Sequence, residues 1–171
     1  MKAELLTLRV IHIVGGIFWV GSMLYTTFFL APAIRSSPAV AGQVMAGLQK
    51  RRLFTILPII ALLTIASGIR LLWIASAGFD DSYLSTSMGR AFSLGAAAAI
   101  VAFLLSVLVS RPGFVRVGKL SASLAAATDE GVRQGLMTEV QRISRRVGIA
   151  NAFVAALLLI TAVSMATARY L

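Results

Sequence analysis

The sequence holds one histidine, His12, and no cysteine. Imidazole is the commonest protein metal ligand and a ready proton shuttle near neutral pH, so chemistry of either kind would begin at His12. The lack of cysteine removes disulfides, thiolate metal sites and a Cys nucleophile. A Ser-His-Asp arrangement would have to draw on the same single imidazole, and no catalytic residue is assigned. All six acidic residues, Glu4, Asp80, Asp81, Asp129, Glu130 and Glu139, fall outside the long apolar runs. A proton relay or cation path normally needs a carboxylate within a membrane span, which disfavours a pump or proton-coupled transporter. No P-loop, glycine-rich nucleotide loop, paired carboxylates or zinc spacing occurs.

Two ionisable residues do interrupt the apolar runs, His12 near the start of the first and Arg70 near the end of the second. At 1.5 Å per helical residue both lie roughly 10 Å below the same surface, a depth that Arg9, Arg90 and Met165 approach. One reading is an outward-facing pocket in which His12, Arg70 and Met165 bind a cofactor or an anionic headgroup, with His12 as the metal ligand. The plainer reading has Arg70 snorkelling outward while His12 hydrogen-bonds a neighbouring helix. Met23, Met88 and Met165 are soft ligands for Cu(I), and methionine is also an ordinary filler of apolar spans. Trp73 reads as an interfacial anchor, and Trp19, nearer mid-span, as core. Pro58 is the one proline placed deep enough in a span to suggest a broken transporter helix.

The elements that carry these residues follow from composition. Of 171 residues, 58% are hydrophobic and 13% charged, yet the net charge is +10. Soluble domains carry about a quarter charged residues, and disordered chains are poor in apolar ones. Four runs reach the roughly 20 apolar residues that a bilayer requires: 10–33, 53–77, 91–110 and 147–168. In lipid the backbone must satisfy itself, so such runs are helices. The reading is a single domain over 1–171: an all-α integral membrane protein, an antiparallel four-helix bundle with amphipathic helical loops. Ala31-Pro32-Ala33 resembles a signal cleavage site, but the preceding apolar run exceeds a signal core, so the first helix is expected to be retained.

Basic residues crowd two loops. Arg35, Lys50, Arg51 and Arg52 lie in the first; Arg111, Arg116, Lys119, Arg133, Arg142, Arg145 and Arg146 lie in the second. The positive-inside rule puts both loops in the cytoplasm of a bacterial inner membrane and both termini outside. Ser37-Pro38 is a helix start with Ser as N-cap, followed by Val40, Val44 and Leu48. Thr128 or Asp129 can cap a second helix, whose stripe of Val132, Leu136, Val140 and Ile143 runs on into the fourth span as one long helix. Arg142, Arg145 and Arg146 then serve as anchors on anionic lipid headgroups, or as a face for an acidic partner. Nucleic acid is excluded as a partner, because no aromatics interleave with the bases. Small residues recur at Gly15, Gly16 and Gly21, at Ala66 and Gly68, at Ala91, Gly95 and Ala99, and at Gly148, Ala152 and Ala156. They are expected to bring helices together, within the chain or in contact with another subunit.

The pattern His12-x6-Trp19-x-Gly21, then Tyr25 and Leu30-Ala31-Pro32-Ala33, resembles the opening helix of the copper-resistance D (CopD-like) membrane proteins. These belong with other small four-helix proteins, including the HemJ-like protoporphyrinogen oxidases. Ser67-Gly68-Ile69-Arg70 is similar to the end of their second helix, and the segment from Met165 to Leu171 to the ending of bacterial relatives. The resemblance implies haem b or copper binding with His12 as ligand. HemJ-like proteins carry a lysine in the third helix; here Arg90 is the nearest base. A bis-histidine haem would need two copies of the chain, and His12 with Met165 could form a mixed pair. Nothing in the residues themselves requires a cofactor. Their reading is a non-catalytic accessory subunit packing in a larger respiratory or photosynthetic membrane complex, with other membrane subunits or a second copy as partners and haem or copper binding as the alternative.

Overall fold

A computed structural model describes residues 2–36 and 38–171, and every regular element among them is helical. Four helices are long and apolar enough to cross a membrane. In chain order the elements are α1 (Lys2–Ser36), α2 (Pro38–Lys50), α3 (Leu53–Ala75), the short α4 (Asp81–Leu84), α5 (Ser87–Ala126) and α6 (Glu130–Thr167). The first and third apolar runs lie within α1 and α5, while α3 ends at Ala75, two residues before the end of the second run, and α6 at Thr167, one residue before the end of the fourth. The Ser37 cap lies outside the described residues, as does the side chain of Val40. At the other predicted start, Asp129 accepts the Val132 N–H at 2.8 Å, and α6 runs unbroken from there through the fourth apolar run.

Two helices continue beyond their apolar runs. α1 runs past Pro32 to Ser36, and α5 runs past Pro112 to Ala126. Each carries one π turn just before its proline, Thr26–Leu30 and Ser106–Ser110. Proline cannot follow a regular turn easily, because its ring meets the carbonyl four residues back. Widening that turn relieves the conflict. The Ala31 N–H donates to Thr26 O, and the Arg111 N–H to Ser106 O, five residues back in each case. The second half of α5 then stays helical because Phe114, Val117, Leu120 and Leu124 form a half-buried stripe facing its neighbours.

The helices pack chiefly as two pairs, α1 on α3 and α5 on α6, and contacts of α3 with α5 and of α1 with α6 close the set. In the first pair Glu4 meets Arg70 and His12 meets Thr64. In the second, Thr161 meets Gly95, Asn151 meets Ser110 and Glu139 meets Arg116. In both, residue numbers rise along one helix as they fall along the other. A single core unites all four: Trp19 and Met23 from α1, Ala61 from α3, Ala99 and Ala102 from α5, Val154 and Leu158 from α6.

The small-residue faces divide their work unequally. Gly95, Ala98, Ala99 and Ala102 of α5 are buried, and the buried stripe of α6 is built of larger residues, Val147, Asn151, Val154, Leu158 and Thr161. A small face on one helix suffices when its partner supplies the bulk. Ala152 and Ala156 of α6 therefore point outward, as do Gly21 of α1 and Ala66 of α3.

At the end opposite the basic loops, Thr86 caps α5 through the Gly89 N–H, and Asp80 caps α4 through the Ser82 N–H. The Ser82 hydroxyl, and after it that N–H, hold the Asp80 carboxyl below its ordinary range. Ala77, Gly78 and Phe79 all take left-handed backbone angles, which reverse the chain and set Phe79 edge-on to Trp73 at 5.2 Å.

Deep between α5 and α6, the Ser110 hydroxyl donates to Asn151 Oδ1 at 2.7 Å, with both residues buried. Replacing either Ser110 or Asn151 by Ala strands the other. A double-mutant cycle on unfolding in mixed micelles should give a coupling of about 0.6–2 kcal/mol between the two.

Candidate functional site

His12 is half buried between α1 and α3. Its Nδ1 lies 2.8 Å from the main-chain oxygen of Thr64. The acceptor is a carbonyl, so Nδ1 must carry a proton and act as the donor. The same carbonyl takes a second hydrogen bond from Ser67 Oγ at 3.0 Å. The ring fits only because position 68 has no side chain. A Cβ on Gly68 would lie 2.7 Å from His12 Cε1 and 3.0 Å from Nδ1. Gly15 packs directly over Thr64 one turn along. Gly68, part of a small-residue face in the sequence, thus has a particular task here, which is to seat one imidazole against one carbonyl.

Arg70 is engaged by a different partner from His12. Its Nε and Nη2 hold Glu4 Oε1 at 3.2 and 2.8 Å, with both side chains nearly half exposed. Glu4 and Arg70 line a cleft of about 340 Å³ with Trp73 and Gly78, and His12 is not among its lining residues. An exposed ion pair of this kind contributes little to stability. Met165 lies at the other helix pair, where a Cβ on Gly95 would be 3.3 Å from its Cγ. The cofactor-binding set His12, Arg70 and Met165 is therefore distributed over the α1–α3 interface, an outer cleft and the α5–α6 interface. No group of three or more His, Asp or Glu side chains that could hold a metal forms among the described residues. Trp19 is core, and Trp73 is half exposed at the end where an interfacial anchor was expected. Arg142, Arg145 and Arg146 are exposed on α6.

A second space was not anticipated from the sequence. A cavity of about 100 Å³ opens between α1, α2, α3, α5 and α6 on the side of the basic loops. Trp19, Met23, Leu57, Ala61 and Phe103 form its apolar wall, Met45 and Leu48 of α2 cover it, and Ser110, Arg111 and Asn151 supply polar atoms. Both π turns border it, through Thr26 and Leu30 on one side and Ser106, Val107 and Ser110 on the other. π turns recur at functional sites because the bulge opens space beside the helix. Thr27, in the first of these turns, has a buried hydroxyl without a hydrogen-bond partner among the described residues. The signals were present: Pro32 and Pro112 each follow a π turn at the same spacing, and Asn151 is a lone amide in an apolar run.

Compared with known proteins, the chain matches no family model, no curated protein and no solved structure.

The fit of His12 against position 68 is directly testable. Gly68→Ala should lower stability by about 1–3 kcal/mol, the ordinary range for overpacking a filled site. The same change in a His12→Ala background should cost much less, since the atoms it collides with are gone. Thermal melts of the three variants in one detergent give the comparison.

Proposed function

We propose that this chain is a non-catalytic integral membrane protein of the bacterial cytoplasmic membrane, an antiparallel four-helix bundle that packs as an accessory subunit against other membrane helices. The observation that carries this reading is how the polar groups of the apolar helices are used. His12 bonds Thr64, Ser110 bonds Asn151, and Thr161 bonds Gly95 O at 3.1 Å, each from one helix to another. Polar side chains in lipid-facing helices either hold helices together or mark a pathway, and these three hold helices together. Outside them the surface is apolar and unevenly covered. Only 11% of the most apolar stretch of α1 is buried within the chain, against 39% for α6. Val10, Val14, Ile17 and Phe18 of α1 are exposed, as are Phe28 and Phe29 further along. Lipid or the helices of another subunit would cover that face. The basic loops then lie in the cytoplasm, with Arg142, Arg145 and Arg146 near anionic headgroups and Trp73 at the outer interface.

Haem or copper binding remains a second reading on one specific observation. The carbonyl bond to His12 Nδ1 is the kind of outer contact that fixes the tautomer of a ligating histidine, and it leaves Nε2 as the coordinating atom. A second ligand would have to come from another copy or another subunit.

The absence of cysteine makes topology simple to read. Ser85→Cys should react with a membrane-impermeant maleimide added to whole cells, and Ser123→Cys only after the membrane is opened. Gentle extraction should yield the chain together with other membrane polypeptides. Migration alone, with no co-purifying chain, would contradict the subunit role. A Soret band or stoichiometric copper that disappears in His12→Ala would establish the second reading instead.

A further inference from the structure

We infer that the cavity beside the two π turns is a lipid site, which takes one hydrocarbon chain of an anionic phospholipid from the leaflet on the basic side and places its phosphate against Arg35 and Arg111. Size comes first. At about 100 Å³ the space is far smaller than the 300–1,000 Å³ of sites for drug-sized ligands. A short stretch of a slender chain fits it, and a ring system such as a porphyrin does not. The lining says the same. The wall from Trp19 to Phe103 is hydrocarbon and aromatic, and no acidic residue touches it. An unfilled void forfeits the dispersion contacts of its walls, and in a membrane the nearest filler is an acyl chain.

Charge fixes the headgroup. Arg111 lines the cavity itself. Arg35 reaches across from α1 to α6, where a Cβ on Gly148 would lie 2.5 Å from its Nη2. Gly148 precedes Asn151 by one turn on the same helix, and Asn151 is part of the cavity wall. Arg111 thus lines the space, and Arg35 lies one helical turn from its Asn151 wall. Neither has a carboxylate within ion-pair distance among the described residues; the pairs that form are Arg70–Glu4, Arg116–Glu139 and Arg133–Glu130. Guanidinium matches phosphate in geometry and in charge. An apolar slot with one unpaired arginine in its lining and a second a turn from its wall is thus complementary to a lipid that is anionic at one end. The inference rests on the membrane placement proposed above and not on the subunit role, and maleimide labelling checks that placement separately.

Trp19 reports on the slot directly, because it lines the cavity and is only 3% exposed, shielded from lipid at the protein surface. In a Trp73→Phe background it is the sole indole. The full chain is reconstituted in nanodiscs of unlabelled phosphatidylcholine doped with either phosphatidylglycerol or phosphatidylcholine, each dopant carrying brominated chains. Brominated phosphatidylglycerol should quench Trp19 at a mole fraction at least tenfold lower than brominated phosphatidylcholine. Arg35→Gln with Arg111→Gln should abolish that preference while helix content stays unchanged. Equal quenching by the two lipids, or none by either, would overturn the proposal, and this wild-type comparison stands even if the double variant fails to fold. A preference that survives the loss of both arginines would overturn the headgroup assignment.

Discussion

The constraint on which the structure depends is the shortage of polar partners inside apolar helices. Once a helix has satisfied its own backbone, a buried side chain with a donor finds an acceptor only on another helix or back on its own. The single imidazole is bound by that constraint. His12 needs an acceptor, α3 offers the carbonyl of Thr64, and Gly68 has no side chain in the way. Ser110 with Asn151, and Thr161 with Gly95, repeat the arrangement in the second pair. These bonds carry direction, which van der Waals packing of Leu and Ala does not. They fix which residues face one another along each pair, and the Trp19–Leu158 core fills in around them.

The same economy explains the cavity. Prolines at 32 and 112 conflict with a regular turn, and each is accommodated by a π bulge. A bulge holds more backbone than a normal turn and pushes its helix away from its neighbours locally. Two bulges at the same level of the molecule, on helices facing a common centre, leave a space that α2 covers with Met45 and Leu48. Packing that is tight around Leu158 and Val154 thus opens toward the basic end, where Arg35 and Arg111 stand without acidic partners.

Much of this architecture is legible in the residues. Hydropathy locates the four long helices, and the stripe from Leu136 to Val147 together with Asp129 anticipates that α6 is continuous. The Gly95–Ala99 face is buried as its spacing suggests. The equivalent face at Ala152 and Ala156 is not, because periodicity reports a face without saying which partner supplies the bulk. The prolines at 32 and 112 lie at the ends of apolar runs. Whether a helix stops or bulges at a proline depends on what lies beyond it. The stripe from Phe114 to Leu124 has α6 to lean on, and so α5 continues. The pocket expected around His12 and Arg70 rested on equal depth below one surface. Depth says nothing of azimuth or of competing partners, and Glu4 engages Arg70 while Thr64 engages His12.

The central claim is that the one imidazole of this chain joins two helices through a donated Nδ1 proton. Because His12 is the sole histidine, its two ring nitrogens can be read without assignment by nitrogen-15 NMR of the histidine-labelled protein in lipid. The account predicts a proton on Nδ1 that exchanges slowly with water and gives that nitrogen a large one-bond coupling. A ring protonated only at Nε2, or freely exchanging at both nitrogens, would contradict it.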